Sequence, residues 1–357
     1  MGPASDTLWL PMPPSTMRAA VAKSGSSLAI ETVPIPEPSE GEVRVRVSAC
    51  GICGSDLHLF RAGLMRPGLT PGHEIAGIVD AVGPGVSRVS AGEHVAVEPF
   101  RSCGECDECR SGRDPVCRSS QLLGVQADGG LAEYLVASER RMFPVPADLG
   151  PELTALAEPL AVSIHGLRRG GFEKGSRLLI LGAGCVGLMG LFAARAMQAG
   201  EIWITARYPH QAELARRLGA DRVLTEAEAS AENLDRLGRS HPIDLALETV
   251  GGSADTLGDG AAAVRPGGTV AVLGFFPGPI QLNALPLLMK EVSLVWSYCY
   301  HHGESDADFI DAIAFISRER ELASLLTSVS VPLDDIERAF ALALQKKTGI
   351  VKVSVIP

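Results

Sequence analysis

Four cysteines within fifteen residues carry the clearest chemical signal in this chain. Cys103, Cys106, Cys109 and Cys117 are separated by two, two and seven residues. Such short gaps let successive thiolates turn toward one centre, and four thiolates around a tetrahedral zinc ion leave no open coordination position. The alternatives are a disulfide pair or chance clustering, and a long chain without a secretory signal disfavours disulfides. The spacing therefore predicts a closed, structural zinc lobe at about residues 98–120.

A second candidate is the glycine-rich segment Leu181-Gly-Ala-Gly-Cys-Val-Gly187, which lies between a predicted strand and a predicted helix. In such a motif Gly182 would permit a tight turn, Gly184 the close approach of a pyrophosphate, and Gly187 close packing of helix on strand. Val186 lies at the start of the helix, where free N–H groups suit phosphates. The alternative is an ordinary turn, but the flanking elements favour dinucleotide binding.

The end of the next predicted strand bears on which dinucleotide is bound. An NAD site has an Asp or Glu there, which accepts a hydrogen bond from the ribose 2′-hydroxyl. This chain has Ala206 at that position, followed by Arg207. Without the carboxylate a 2′-phosphate is not repelled, and the guanidinium can pair with it. The sequence favours NADP(H) over NAD(H); the alternative is that Arg207 is a solvated residue beside a permissive NAD site.

A third set of residues has the types that bind a catalytic metal. Cys53, His73 and Glu74 offer a thiolate, an imidazole and a carboxylate, and three such ligands plus water make a catalytic zinc site. They can meet only if the segment between residues 53 and 73 folds back. A further acid, Glu158, lies close to the predicted domain boundary. The alternative is that these residues are structural.

The elements that must position these groups change in character along the chain. Before about residue 160, short alternating runs punctuated by Gly and Pro predict an irregular, mostly antiparallel β domain. From about residue 175, continuous apolar strands alternate with helices, which predicts a parallel, doubly wound sheet. After it we expect helices near residues 306–316 and 333–344 and a last strand at 350–355, which returns to the first domain. The six strands of the parallel sheet are predicted at 177–181, 201–205, 222–224, 244–247, 269–273 and 293–296.

Composition excludes several classes of function. The 357 residues carry a formal net charge of −10, which argues against a nucleic-acid or anionic-membrane partner. No apolar run reaches the roughly 18 residues needed to cross a bilayer. The first sixteen residues contain four prolines and no Lys or Arg, unlike a signal peptide. We expect a cytoplasmic protein with a flexible leader at residues 1–16.

In combination and order, these motifs resemble the zinc-dependent medium-chain dehydrogenases. The resemblance rests on Gly51-Ile-Cys-Gly-Ser-Asp-Leu-His58, Gly72-His-Glu74, the cysteine lobe, Ala157-Glu-Pro-Leu160 and the glycine loop. More narrowly, the chain is similar to the branch that holds sorbitol, butanediol and threonine dehydrogenases, from about residue 17 to the end. This implies an α/β protein: a GroES-like, β-rich catalytic domain at 17–160 and 300–357, and a Rossmann domain at 161–299.

The resemblance assigns the metal ligands. It implies that Cys53 and His73 bind the catalytic zinc, and that either Glu74 or Glu158 completes the set, since members of the branch differ on this point. Asp56 would orient His73 through its second ring nitrogen. With the lobe, two zinc ions per chain are implied.

The resemblance also implies the reaction, an exchange of hydride between an alcohol or carbonyl substrate and a nicotinamide cofactor. The metal would stabilise negative charge on the substrate oxygen. Ser55 would sit next to the reacting oxygen, and His58 would pass its proton to solvent by way of the cofactor ribose. The rivals are a zinc-free quinone-reductase-like enzyme, which lacks these ligands, and a cofactor-binding protein without turnover.

The candidate substrate pocket consists of aromatic residues, a leucine and a histidine. Polyol dehydrogenases of the branch carry an Arg-Tyr pair near the run Tyr298–His302, and this chain has no arginine there. We therefore expect a secondary alcohol or ketone, or a related alcohol or aldehyde, with an NAD-dependent polyol, sugar or amino-alcohol dehydrogenase as the alternative. His301 and His302 are alternatively solvated loop residues. The pocket candidates are Phe60, Leu64, Phe100, Phe275, Tyr300 and His301.

The resemblance further implies a homodimer or homotetramer. Pairing would use an edge strand of the nucleotide domain at Ser293–Trp296, which would bury Trp296 or Tyr298. The other partner is a small-molecule substrate.

Overall fold

The computed structural model describes residues 15–301, 307–345 and 347–357, so most of the predicted leader lies outside the described residues. The described residues form 17 strands and 12 α-helices. The strands are β1 Thr16–Ala22, β2 Leu28–Pro34, β3 Glu42–Gly51, β4 Glu74–Val82, β5 His94–Val97, β6 Phe100–Arg101, β7 Gln121–Leu122, β8 Tyr134–Ser138, β9 Met142–Pro144, β10 Arg177–Leu181, β11 Glu201–Ala206, β12 Arg222–Thr225, β13 Ile243–Glu248, β14 Val264–Val272, β15 Ser293–Trp296, β16 Val329–Pro332 and β17 Val353–Ile356. The helices are α1 Gly54–Arg61, α2 Asp107–Arg110, α3 Pro151–Ala155, α4 Ala157–Arg169, α5 Cys185–Ala196, α6 Pro209–Arg217, α7 Ala231–Ser240, α8 Thr256–Ala263, α9 Ala284–Lys290, α10 Ala307–Arg318, α11 Arg320–Ser324 and α12 Ile336–Ala343.

The middle of the chain forms a six-stranded parallel sheet in the order β12-β11-β10-β13-β14-β15. Successive residues of β10 point to opposite faces: Leu178 and Ile180 pack in one apolar cluster with α4 and α5, and Leu179 packs in another with α7 and α8. Because both faces are covered by helices, the strands are apolar without alternation. The predicted doubly wound parallel sheet is confirmed.

A seven-stranded sheet is built from the remainder, in the order β16-β17-β3-β4-β5-β9, with β8 also paired to β3. β17 lies antiparallel to β3 and parallel to β16, so the last strand completes a sheet begun by the first 51 residues. Its central strand β3 alternates buried valines, Val43, Val45 and Val47, with less buried residues, as expected for a sheet with one covered face.

Some element bounds differ from those expected. Where the sequence predicts one helix at 333–344, a 3-10 turn over Leu333–Asp335 precedes α12. The break follows from Asp335, whose φ of −98° and ψ of 30° are not helical. β14 begins five residues before its predicted start, because Val264 pairs with Ile243 across a register shift.

These two sheets place the candidate site residues at element ends. Cys53 precedes α1, Glu74 opens β4, and Glu158 lies in the first turn of α4. The glycine loop joins β10 to α5. No helix within the described ranges has the length and apolar character that spanning a bilayer requires.

Candidate functional site

The four lobe cysteines converge on one point. The sulfur of Cys109 lies 3.5 Å from that of Cys106 and 3.8 Å from that of Cys103, and Cys117 lies 3.6 Å from Cys103. These separations are far longer than a disulfide bond of about 2.05 Å. They match the roughly 3.8 Å between sulfurs that surround a tetrahedral zinc ion at about 2.3 Å. The arrangement fits a zinc ion with four thiolate ligands.

The lobe thiols differ in their readiness to ionise. Hydrogen bonds from the backbone N–H groups of Glu105 and Cys106 lower the pKa of Cys103 to about 6. Burial raises the pKa of Cys109 to about 12. A bound zinc ion would take both as thiolates.

A buried ionic network attaches the cysteine lobe to the seven-stranded sheet. The guanidinium of Arg141, which is 3% exposed, donates to Glu98 Oε1 at 2.7 Å and to Asp114 Oδ1 at 2.6 Å. It also donates to Ser102 Oγ at 2.8 Å. The network spans the first part of the lobe and the stretch just before Cys117, so it orients the cysteine segment independently of any metal.

A second group, here called the cleft site, combines Cys53, His73 and Glu74. One ligand atom from each lies within 4.8 Å of the other two. The antiparallel pairing of β3 with β4 places Gly51 opposite Glu74, which brings the segments around residues 53 and 73 together. The structure therefore folds the chain back as the metal-site hypothesis requires.

The first turn of α1 fixes the surroundings of His73. Asp56 Oδ2 accepts from the backbone N–H of Cys53 at 2.9 Å, and its Oδ1 lies 3.5 Å from His73 Nδ1. Ser55 Oγ lies 3.5 Å from the other ring nitrogen, Nε2. Burial lowers the pKa of His73, but the charges of Asp56 and Cys53 outweigh it and raise that pKa well above its ordinary value. With Asp56 beside Nδ1, Nε2 is the nitrogen available to a metal.

Glu74 has a partner that the sequence did not suggest. Its Oε1 accepts from Lys352 Nζ at 2.5 Å, and both side chains are at most 3% exposed. Lys352 Nζ also donates to the carbonyl of Ile52 at 3.2 Å. Lys352 directly precedes β17, so the last strand carries a positive charge into the cleft site.

Glu158 approaches the same centre from α4. Burial raises its pKa to about 7, and the positive charge of His73 acts in the opposite direction. No described ion pair engages its carboxylate, whereas Glu74 is paired with Lys352. Of the two candidate acids, Glu158 is the less committed to a protein partner.

The donor set of the cleft site fits a zinc ion. Three buried atoms, Asp56 Oδ1, His73 Nδ1 and Glu74 Oε2, have no hydrogen-bond partner among the described residues. Asp56 Oδ1 and His73 Nδ1 lie 3.5 Å from each other, whereas Glu74 Oε2 is an uncompensated buried acceptor, which a bound cation would stabilise. Three protein ligands leave a coordination position open, unlike the lobe.

The glycine loop has the geometry that a pyrophosphate requires. Gly182 has a φ of 101°, which favours glycine. A Cβ at Gly187 would lie 1.8 Å from the carbonyl oxygen of Gly182, so the helix packs too closely for any side chain. A Cβ at Gly184 would meet open space, where a phosphate can approach the N-terminus of α5 that includes Val186.

Arg207 follows the carboxyl end of β11, at the place expected from the sequence. Its side chain is 66% exposed, and its Nη2 lies 3.0 Å from Glu226 Oε1. The guanidinium is therefore held near the strand end by a carboxylate, with which a 2′-phosphate would have to compete.

The candidate substrate residues are spread over several environments. Phe275 is 61% exposed, with its ring 6.0 Å from that of His58. Leu64 is 70% exposed. Phe60, in contrast, packs against Phe340, with ring centroids 5.0 Å apart and the rings tilted by 48°, beside the apolar core of the seven-stranded sheet.

The aromatic segment after β15, residues 298–301, is held by contacts of Tyr300 and His301. Phe100 and Tyr300 are each 2% exposed, with ring centroids 5.9 Å apart. The backbone N–H of His301 donates to Asp308 Oδ2 at 2.9 Å, and its Nε2 lies 3.0 Å from the carbonyl of Ser111. His301 thus touches the cysteine lobe. His302 lies outside the described residues.

Comparison with known proteins agrees with this geometry. The family described as alcohol dehydrogenase GroES-like domain matches residues 39–147, and that described as zinc-binding dehydrogenase matches residues 185–318. Sorbitol dehydrogenase of Bacillus subtilis (strain 168) is 34% identical over 352 residues, which covers 96% of this chain and 98% of that protein. The chain belongs to the zinc-dependent medium-chain alcohol dehydrogenase family. It is an NAD(P)-linked dehydrogenase acting on CH–OH groups, as the sequence predicted.

Solved structures share the fold across the chain. A zinc-binding dehydrogenase from Sinorhizobium meliloti 1021 bound to NADP has a TM-score of 0.86 at 30% identity, covering 96% of this chain and 100% of that one. A short chain alcohol dehydrogenase from E. coli CFT073 complexed with NADH has a TM-score of 0.87 at 27% identity, with the same coverage. The GroES-like and Rossmann fold class is confirmed, and the neighbours include both cofactors.

Proposed function

We propose that this chain is an NADP(H)-linked dehydrogenase that interconverts a secondary alcohol and a ketone, or a related alcohol and aldehyde. The observation that carries the proposal is the cleft site, where ligand atoms of Cys53, His73 and Glu74 lie within 4.8 Å of one another, three ligands for an ion that takes four. Zinc, when bound there, supplies Lewis acidity to the substrate oxygen, and the nicotinamide cofactor gives or takes the hydride. The remaining tasks fall to side chains of this chain.

Within the cleft site, we assign Cys53, His73 and Glu158 as the zinc ligands. Glu74 is already paired with Lys352, so its charge is compensated by protein. Glu158 is buried and lacks a described ion-pair partner, and a metal ion would stabilise its ionised form. In this assignment Glu74 and Lys352 form a neutral pair that supports the site from behind.

Proton transfer falls to α1. Ser55 and His58 are three residues apart, so they lie on the same face of the helix, and both are exposed. Asp56, on the other face, is buried against His73. The Ser55 hydroxyl takes the proton of an alcohol, or returns it to a carbonyl oxygen, and His58 exchanges that proton with solvent.

The proposed preference for NADP(H) over NAD(H) rests on the two residues at the end of β11. Ala206 offers no carboxylate to a ribose 2′-hydroxyl, and Arg207 can pair with a 2′-phosphate. Glu226 competes for that guanidinium at 3.0 Å. The NADP-bound relative supports the proposal, while the NADH-bound relative is the reason for testing it.

The substrate proposal rests on the aromatic composition of the cleft mouth. Phe275 and Tyr298 are both more than half exposed, and no arginine occurs between residues 297 and 301 to hold polyol hydroxyls. An apolar or cyclic secondary alcohol suits this surface. The second candidate, an NAD-dependent polyol dehydrogenase, is favoured by the similarity to sorbitol dehydrogenase.

The deciding experiment is a fluorescence titration with NADPH and, separately, NADH, on the wild type, Arg207→Ala and Glu226→Gln. We expect tighter NADPH binding, weakened about tenfold by Arg207→Ala and strengthened by Glu226→Gln. Arg216→Ala, at the far end of α6, is the matched control and should change neither affinity. Tighter NADH binding, unaffected by Arg207→Ala, would overturn the NADP(H) proposal and leave the polyol dehydrogenase as the leading candidate.

We also propose a dimer or tetramer in which β15 pairs with its counterpart. β15 is the edge of the parallel sheet, and the adjoining α9 exposes Leu285, Leu288 and Met289, each by more than 60%. Trp296 at the end of β15 is 52% exposed. Contiguous apolar surface beside an unpaired strand edge favours association. Light scattering on wild type and Leu288→Lys tests this, with a shift toward monomer expected.

The division into a catalytic domain at 17–160 and 300–357 and a nucleotide domain at 161–299 remains part of the proposal, as does a cytoplasmic location. None of the eight cysteines is in a disulfide, which suits a reducing compartment. Limited proteolysis tests the division; because residue 160 lies within the buried helix α4, the first cleavage is expected near residue 300 and not near residue 160.

A further inference from the structure

The carboxyl end of β13 holds a buried acid that the proposed mechanism does not use. Glu248 is 0% exposed, on a strand flanked by β10 and β14. In parallel sheets, ligands bind beyond the carboxyl ends of the strands, where the connections diverge. Glu248 therefore lies at the carboxyl ends of the strands, on the same side of the sheet as the glycine loop, which follows β10.

Glu248 bonds two separate loops. Its Oε1 accepts from the backbone N–H groups of Val250 at 2.8 Å and Gly251 at 2.9 Å, and from the hydroxyl of Thr256 at 2.7 Å. Its backbone carbonyl accepts from Leu273 at 2.9 Å and Gly274 at 3.1 Å. One residue thus ties the loop after β13, residues 249–252, to the loop after β14, residues 273–276.

The two loops touch backbone to backbone. The N–H of Gly252 donates to the carbonyl of Phe275 at 2.7 Å. Gly251 has a φ of 60°, and a Cβ there would lie 2.4 Å from the same carbonyl oxygen. A Cβ at Gly274 would lie 2.2 Å from Glu248 Oε2, so glycine is required on both sides of the carboxylate.

Both loops face the cleft. Thr249 Oγ1 donates to the carbonyl of Leu181 at 2.8 Å, and Val250 Cγ2 lies 2.6 Å from where a Cβ on Gly182 would be. The first loop therefore contacts the glycine loop directly. The second carries Phe275, whose ring lies 6.0 Å from that of His58.

We infer that Glu248 is a positioning residue for the dinucleotide cleft: its buried carboxylate holds Val250 against the glycine loop and, through the Gly252–Phe275 backbone bond, supports Phe275 opposite His58. A carboxylate can accept several N–H and O–H bonds at one oxygen, and such charge-assisted bonds are stronger than neutral ones. An alanine leaves the N–H groups of Val250 and Gly251 without their acceptor and loosens the first loop, while the backbone bonds of residue 248 to Leu273 and Gly274 remain. The inference rests on the proposed placement of the dinucleotide at the glycine loop.

The test compares Glu248→Ala with Glu248→Gln, whose amide oxygen can accept the same three bonds. Measured quantities are the NADPH and NADH dissociation constants, kcat, the KM for cofactor, zinc content and the unfolding temperature. We expect Glu248→Ala to raise the cofactor dissociation constant and KM by about tenfold or more, with two zinc ions retained, and Glu248→Gln to stay within about threefold of wild type.

Asp244→Ala is the matched control, at the opposite end of the same strand. Asp244 also accepts from neighbours, the backbone N–H of Arg177 at 2.9 Å and Arg265 Nε at 2.7 Å, but it lies away from the cleft. We expect the Asp244→Ala variant to have a lower unfolding temperature and unchanged cofactor binding. If Glu248→Ala behaves in the same way, the role is only structural and the inference fails.

Two further outcomes are separable. A wild type that binds neither cofactor overturns the proposed function rather than this inference. Should Glu248→Ala fail to fold, Thr256→Val decides, since it removes one of the three bonds to Oε1. A dissociation constant raised about two- to fivefold supports the inference, and an unchanged one overturns it.

Discussion

The cysteine lobe and the cleft site are both candidate zinc sites, yet they are built in opposite ways. The lobe takes all four ligands from one stretch of fifteen residues, and its sulfur atoms lie 3.5–3.8 Å apart. The cleft site gathers Cys53, His73 and Glu74 from two segments that the β3–β4 pairing brings together, and Glu158 approaches it from α4. The lobe offers four thiolates, whereas the cleft site offers one thiolate, one imidazole and carboxylates.

The difference shows how ligand choice separates structure from chemistry. Four thiolates more than neutralise the metal and fill its coordination sphere, so such a site contributes folding free energy. One thiolate, one imidazole and one carboxylate would carry less negative charge and leave a position open, so the metal would keep Lewis acidity toward a substrate oxygen. Changes in the two regions should therefore affect different measurements.

The largest effect is expected from Cys53→Ala. Loss of a ligand at the cleft site should lower kcat by about a thousandfold or more, because the charge stabilisation at the substrate oxygen is lost. Cofactor binding should persist, and zinc content should fall from two ions per chain to one. Cys50→Ala, a buried thiol in neither site, is the control. An active Cys53→Ala enzyme would refute the catalytic assignment.

The second-largest effect is expected from Lys352→Met, which should lower the free energy of unfolding. It leaves the Glu74 carboxylate buried without its partner, at a cost of about 3–5 kcal/mol in the free energy of unfolding. Chemical denaturation measures this, and adding Glu74→Gln should restore part of the loss. Lys23→Met, which breaks an exposed pair with Glu31, should cost less than about 1 kcal/mol. If Glu74→Gln alone removes the cleft zinc, Glu74 rather than Glu158 is the ligand.

Cys109→Ser should have the opposite effect from that expected of Cys53→Ala: stability should fall and activity should be kept. One zinc ion should again be lost, but from the lobe, with an unfolding temperature lower by about 5–10 °C and kcat nearly retained. Hydrogen exchange should accelerate over residues 98–120 and not around the cleft. A selective loss of kcat without destabilisation would contradict the division of roles.

The smallest effect concerns pH. In the zinc-free protein burial raises the pKa of Glu158 to about 7, so below that pH the carboxyl must lose a proton to bind metal. Zinc affinity at the cleft should therefore rise with pH, and the contribution of Glu158 to that rise should level off above about 7. The raised pKa of His73 adds a second proton in the same direction. Glu158→Gln should reduce the slope by one proton, measured by competition with a chelator; an unchanged slope would exclude Glu158.

The lobe and the parallel sheet were predictable because their signals are local. Cys103 to Cys117 lie within a single segment, and the apolar strands record burial on both faces. The cleft site was found through family resemblance, since Cys53 and His73 alone have ordinary structural explanations. Its geometry depends on the β3–β4 pairing, which brings the two segments together.

Several buried charges were missed, among them Lys352 and Glu248. Lys352 and Glu248 lie in apolar runs, and the only available signal was that a charged residue is out of place in such a run. Their partners, Glu74 and the loop amides of Val250 and Gly251, are set by tertiary structure. No spacing rule connects residues that far apart or reveals which backbone groups a carboxylate will meet.

The Lys352–Glu74 pair also has a consequence for the order in which the protein matures. Its partners are separated by 278 positions. The ribosome adds roughly 5–20 residues per second. The lobe cysteines can bind zinc once about 120 residues have emerged, several seconds or more before Lys352 is made. The Glu74 carboxylate must wait for Lys352 while the whole nucleotide-binding unit is made. A half-synthesised chain would carry all four lobe cysteines but only part of the cleft site, so synthesis supplies the ligands of the lobe well before the last charge of the cleft.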